Sequence, residues 1–278
     1  MTMHTPAAIS ATDVTVRRRT WPGLCTFIQP LIGVRQVTRG FCFFEASVLL
    51  IEQGSLAFDA GDHQGVAGGP DSLLCVDQDY RCDMIKTPDA DSGVFQSLFI
   101  CIDEAVISEF ALQQRVSGVV KAPQARTVPL DDVLADTWRF TLRALEEGST
   151  VSHGEVRHRL LGLLLALSVR GKRFRVPTQR LATRIRTLLS GDPSHPWTAV
   201  EVGRHVAMSE ATLRRRLAQE GELFQTILQD VRLHHALILL QTTAQSIGQI
   251  AVASGYQSAS RFSLRFRLRF GHLPSAMR

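Results

Sequence analysis

The residues of this sequence best placed to do chemistry are arginines, gathered in two short stretches. "SEATLRRRLAQEG" holds Arg214, Arg215 and Arg216, and "SASRFSLRFRLRFG" holds Arg261, Arg265, Arg267 and Arg269. A guanidinium presents a rigid fork of donors that fits phosphate oxygens and the O6/N7 edge of guanine. In the second stretch apolar and basic residues alternate from Leu264 to Phe270, which is the period of a half-buried strand. The same letters set Phe262, Phe266 and Phe270 four apart, which is a helical stripe. A strand, a membrane-active peptide and a helix facing an acidic partner would each use these arginines differently.

Other chemistries find little support. A metal-binding β domain needs clustered histidines with a carboxylate, yet the first hundred residues offer only His63 after His4, and Glu45 and Glu52 have no histidine at ligand spacing. Nucleophile-elbow, P-loop and dinucleotide fingerprints are absent. The five cysteines show no C-x-x-C pair and sit in apolar runs such as "GFCFF" and "LFICI", as small buried hydrophobes do. No catalytic residue, metal or cofactor is expected. A metal-dependent β-barrel enzyme stands as the alternative function.

Charge points the same way as the arginine clusters. The formal net charge of +5 is uneven: residues 178–278 hold 13 Arg and no Lys against 6 acidic residues. A basic block beside a near-neutral one is the electrostatic footprint of a nucleic-acid module joined to something else. After "RRRTW" no apolar run follows that would make a secretory signal, and Leu160 to Val169 is too short to span a bilayer. A cytoplasmic protein is expected, with no membrane association.

The elements that must position the arginines follow from periodicity and caps. Residues 20 to about 102 read as short strands broken by Gly-rich turns, a small barrel or sandwich. From Asp103 the spacing turns helical, with a stripe of Leu134, Trp138, Leu142 and Leu145, then Leu160, Leu163 and Leu164 on a wide apolar sector open to intrachain packing or to a dimer contact. "KRFRVPTQR", 172–180, is the expected linker. Beyond it, Thr198 with Glu201 spells a capping box, Gly203 leaves room for a close approach, and Ser209 caps a second helix with Leu213 and Leu217 inward. Ser246 with Gln249 repeats the box, Gly255 supplies a turn, Ser258 caps the next helix, and Gly271 ends it. A cap before and a glycine stop after decide for a helix over a strand in the second arginine stretch. Between the pairs, Phe224 to Leu240 reads as a helix of about 25 Å, a strut that would hold two arginine-faced helices near the ~34 Å of one duplex turn.

At these residues the chain resembles the AraC/XylS family of bacterial transcription regulators. "MSEATLRRRLAQEG" with "LQDVRLHHALILL" is similar to the family's first helix-turn-helix unit, and "IAVASGYQSASRFSLRFRLRFGHLPSAMR" to its second. "WPGL" and "FEASVLLIEQGS" are looser matches to a cupin-like effector domain. The resemblance implies an α+β chain: a cupin-like effector and dimerisation domain over 1–171, a linker over 172–180, and a double helix-turn-helix domain over 181–278. Departures from the family pattern are Ala207 in the first turn, Leu264 in the second recognition helix, Met277 near the end, and Ala46 for a strand proline.

The implied function is a sequence-specific DNA-binding activator that responds to a small ligand and reads two successive major grooves. A ligand-independent regulator controlled by protein partners is an alternative. Implied partners are double-stranded DNA, RNA polymerase, a small-molecule effector and a second copy of the chain. The DNA-facing set is Ser209, Ala211, Thr212, Arg214 and Arg215 in the first unit, and Ser258, Ser260, Arg261, Ser263, Leu264, Arg265 and Arg267 in the second. Arg215 would grip guanine, Ala211 and Leu264 would suit a thymine methyl, and Arg261, Arg265, Arg267 and Arg269 would neutralise phosphate. Leu264 with Leu268 could equally meet RNA polymerase or a neighbouring protomer. Phe43, Leu50, Leu74 and Phe99 are candidate ligand-pocket residues, and Leu160, Leu163 and Leu164 candidate dimer contacts.

Overall fold

The computed structural model describes residues 18–61, 64–114, 124–146, 150–176 and 180–277. His4 and His63 lie outside them. The N-terminal half contains β1 (Arg18–Trp21), β2 (Cys25–Ile28), β3 (Leu31–Ile32), β4 (Gln36–Cys42), β5 (Ala46–Gln53) and β6 (Ser55–Asp59). It continues with β7 (Gln64–Gly68), β8 (Ser72–Val76), β9 (Arg81–Thr87), β10 (Phe95–Ile102) and, after a helix, β11 (Ala125–Pro129). One antiparallel sheet runs β1-β2-β10-β5-β8-β11 with β3 beside β10; the other runs β4-β9-β6-β7.

The central strand β5 is buried on both faces, and its period of two sorts its side chains between two cores. Leu49 and Ile51 point into the space between the sheets with Leu56, Met84 and Phe95. Val48 and Leu50 point the other way, onto the helices. Those helices are α1 (Glu104–Gln113), α2 (Asp132–Leu145) and α3 (His153–Val169). The predicted stripe of Leu134, Trp138, Leu142 and Leu145 is buried as expected. Leu160, Leu163 and Leu164 are buried in the same core, so they are corrected from dimer contacts to intrachain packing. Too little surface is left on them to meet a second chain; the exposed apolar residues of α3 are Leu165 and Val169.

The segment expected to be a linker is tied down at its start. Lys172 is buried in an ion pair with Asp77 at 2.9 Å, and Arg175 faces Asp79 at 3.6 Å. Both cations are thus taken up by carboxylates of the N-terminal half. The helical region that follows comprises α4 (Leu181–Gly191), α5 (Ala199–His205), α6 (Glu210–Gln219), α7 (Phe224–Thr242), α8 (Ile247–Ala253) and α9 (Ala259–Phe270), closed by a 3₁₀ turn at Pro274–Met277. Two elements escaped the sequence reading: β11, whose short run extends the first sheet beside β8, and α4, whose Leu181, Ile185 and Leu189 are spaced four apart.

Candidate nucleic-acid interface and ligand cavity

The first arginine cluster rests on a helix pair built almost entirely from local signals. The Thr198 side chain accepts from the Glu201 amide at 3.2 Å and starts α5. The expected reciprocal bond from Glu201 is replaced by one to His195 Nε2 at 2.8 Å. A Cβ on Gly203 would sit 2.6 Å from the Met208 carbonyl, so only glycine lets the turn fold back onto α5. Ala207 takes the left-handed conformation at φ 56° without a glycine's freedom. Ser209 then accepts from the Thr212 amide and opens α6, whose Leu213 and Leu217 are fully buried. Ala211, Arg214, Arg215 and Arg216 are exposed on the other side; Arg214 is held by Glu210 one turn back. Thr212 is half-buried and shares a hydrogen bond with Ser209.

The second cluster repeats the plan. Ser246 and Gln249 form the full capping box at α8, Gly255 turns at φ 76°, and Ser258 accepts from the Arg261 amide to open α9. Phe262, Phe266 and Phe270 are wholly buried against α7 and α8, in contact along one edge-to-face run. Each such ring stabilises the small core by about 1.5–3 kcal/mol, so the phenylalanines have no freedom to enter lipid. Gly271 ends the helix in the left-handed conformation. Ser260, Arg261, Leu264, Arg265 and Arg267 are exposed, while Ser258 and Ser263 are half-buried. Leu264 and Leu268 are 57% and 69% exposed on the arginine side. Among the described residues Arg215, Arg261, Arg265 and Arg267 form no ion pair, leaving their charge for an outside partner.

Both units share α7, which at 19 residues spans about 28 Å. Arg232 of α7 donates to the Pro193 and His195 carbonyls ahead of α5 and packs under Gly255 in the second turn. One side chain thereby binds the two units to the strut.

Arg269 is a correction. It was expected to meet phosphate, but it donates to Asp230 Oδ1 at 2.7 Å and to the Arg39 and Gly40 carbonyls of β4. The second arginine helix is thus clamped to the N-terminal sheet. Arg81 of β9 reaches Asp230 and Glu222, and Arg186 of α4 reaches Asp79 and Glu222. His234 of α7 accepts from the Cys42 amide at 3.2 Å, and Gln36 donates to the Met277 carbonyl at 2.6 Å.

Beneath this contact lies a cavity of about 130 Å³ between the sheets and α7. Of the four expected pocket residues, Phe43 and Phe99 line it. Leu50 and Leu74 do not: Leu50 faces the helices, and Leu74 is packed in the inter-sheet core away from the opening. Sequence reasoning missed its polar residues. Lys86 lines it, half-buried, with Nζ bonded to Gln241 Oε1 at 3.1 Å and set 5.7 Å from the Phe95 ring. Burial alone brings the Lys86 ammonium down to about 8, and no carboxylate among the described residues pairs with it. An unpaired buried cation is costly unless an anion joins it. Nothing in "DMIKTPD" marks that isolation, because it depends on which strands and helices close over the side chain.

The thiols are inert: burial pushes Cys25, Cys75 and Cys82 up to about 12. No cluster of metal-ligating side chains occurs among the described residues, and no helix is long and apolar enough to cross a membrane.

Residues 202–278 match a family model described as a helix-turn-helix domain. The chain is 32% identical over 95 residues to the HTH-type transcriptional regulator GadX of Escherichia coli O6:H1, covering 34% of this chain and 35% of that protein. It is 35% identical over 91 residues to YdeO of Escherichia coli K12, 33% of this chain and 36% of that one. These matches therefore span about a third of the curated relatives' length. The whole fold is similar to that of ToxT from Vibrio cholerae, with a TM-score of 0.63 at 14% identity over 91% of this chain and 97% of that one. A second ToxT structure, at TM-score 0.60, 14% identity and 90% and 93% coverage, is described as bound to an unsaturated fatty acid.

Proposed function

We propose that this chain, a member of the AraC/XylS family of helix-turn-helix transcriptional regulators, reads two successive major grooves with α6 and α9 and is tuned by a small anionic ligand held in the cavity. The observation that carries the DNA reading is the pair of capped helices with exposed arginines mounted on one α7. Arg215 projects from the middle of α6 and serves as the base reader, gripping guanine. Arg261, Arg265 and Arg267 neutralise phosphate and set the register on the duplex. Ala211 and Leu264 meet thymine methyls.

The ligand reading rests on Lys86. Its ammonium, half-buried beside Phe95 at the edge of an apolar cavity and answered only by the neutral Gln241, suits a carboxylate on a greasy body. A carboxylic acid in the related ToxT fold agrees with that chemistry. Because Gln241 belongs to α7 and Lys86 to β9, such a ligand touches both the sensing sheets and the helix that carries the DNA readers.

Binding titrations on the selected operator test the assignment. Arg215→Ala should abolish discrimination at one base pair, a loss of about 1–3 kcal/mol. Arg267→Ala should weaken all sequences alike and lower the salt slope by about one. Equal, sequence-independent losses from both would refute it.

A further inference from the structure

The cavity has a second polar end. On β10 the residues lining it are Phe95, Ser97, Phe99 and Cys101, one face of the strand over roughly 20 Å. Lys86 stands by Phe95 at one extreme. At the other, Cys101 and the half-buried Glu45 both line the cavity. The facing helix runs the same way: Gln241 lies at the lysine end, and His234, seven residues earlier, lies against Phe44 beside Glu45. The space is therefore a slot with a cation at one end and a carboxyl at the other. With about 3 Å left at each end for a hydrogen bond, and roughly 1.2 Å per bond as in an extended backbone, about a dozen chain atoms fit between the two ends.

We propose that the slot selects a medium-chain aliphatic acid that is polar at both ends, its carboxylate on Lys86 and a terminal hydroxyl on Glu45. The proposal rests on the ligand reading above and adds to it the class of ligand. A plain alkyl terminus would cover the Glu45 carboxyl without offering it a hydrogen bond, whereas a hydroxyl supplies one. Sites built around a ligand hydroxyl discriminate well against analogues that lack it. Burial, with Asp103 adding to it and Arg18 opposing, raises Glu45 to about 7, so near neutral pH its carboxyl can accept or donate.

Isothermal titration calorimetry of the full chain at neutral pH decides, with dodecanoic acid and 12-hydroxydodecanoic acid as probes. The hydroxy acid should bind at least tenfold more tightly. Glu45→Leu should erase or invert that preference while still binding dodecanoic acid, and Glu45→Gln should keep part of it. Lys86→Met should lose both acids. Dodecanoic acid binding as tightly as its hydroxylated form to the unaltered chain overturns the two-ended slot alone. Failure of both acids to bind, or their undiminished binding to Lys86→Met, overturns the ligand reading and this proposal with it.

Discussion

Titrating one histidine should measure how much the contact between the sheets and α7 contributes to stability. His234 is wholly enclosed, with Nδ1 at 2.8 Å from the Asp230 carbonyl and Nε2 accepting from the Cys42 amide at 3.2 Å. Those bonds occupy both ring nitrogens of a neutral imidazole, and protonation would leave no lone pair for Cys42. Burial first, then Arg269 and Arg81, bring the ring from 6.5 down to about 4, with Asp230 opposing. The folded value lies below the unfolded one, so the unfolded chain takes up the proton first as the pH falls. The stability this ring contributes is complete above 6.5 and is lost as the pH drops toward 4. Integrated from about pH 7.5 to about pH 5, the loss is about 2 kcal/mol. His235, also brought to about 4 by burial, loses stability in the same window. Glu45 runs the other way, its contribution being lost as the pH rises through about 7. Comparing variants cancels both. Urea unfolding of the full chain at the two pH values, beside His234→Gln, reads the difference: the variant should lose about 2 kcal/mol less than the unaltered protein on acidification. Equal losses would show that the folded ring takes up its proton as readily as the unfolded one, and that the contact with Cys42 and α7 does not hold it neutral.

Two further outcomes follow from the geometry. Phe266→Ala, in a fully enclosed position, should cost about 3–5 kcal/mol and remove DNA binding, whereas Leu268→Ala, at a site 69% exposed, should leave thermal unfolding nearly unchanged. Dodecanoic acid should bind less tightly as the pH rises through about 8, because Lys86 then loses the charge that holds the carboxylate. Calorimetry of the unaltered chain on either side of that value checks the sign.

What was legible in the sequence lies within reach of a few residues. The serine caps, the turn at Gly255, the stop at Gly271, the phenylalanine stripe and the arginine faces of α6 and α9 are all set by neighbours three or four apart. The period of a single segment is enough to find them. The Leu134, Trp138, Leu142 and Leu145 stripe of α2 is legible for the same reason. The reading failed where a segment's periodicity was sound but its partner lay elsewhere: Leu160, Leu163 and Leu164 form a helical face, yet periodicity does not say what covers it.

By itself, then, the chain's order of residues determined two arginine-faced helix pairs, a strut between them and a strand-rich first half. Only the tertiary structure decided that Arg269 closes on Gly40, 229 residues away, instead of on phosphate. It also decided that Lys86 has no carboxylate beside it, that Glu45 lies at the far end of the same slot, and that Leu50 and Leu74 miss the cavity. Caps and stripes are enforced by covalent proximity. Pairing a charge or opening a void depends on which distant segments meet, and that is settled only when the sheets and α7 pack together.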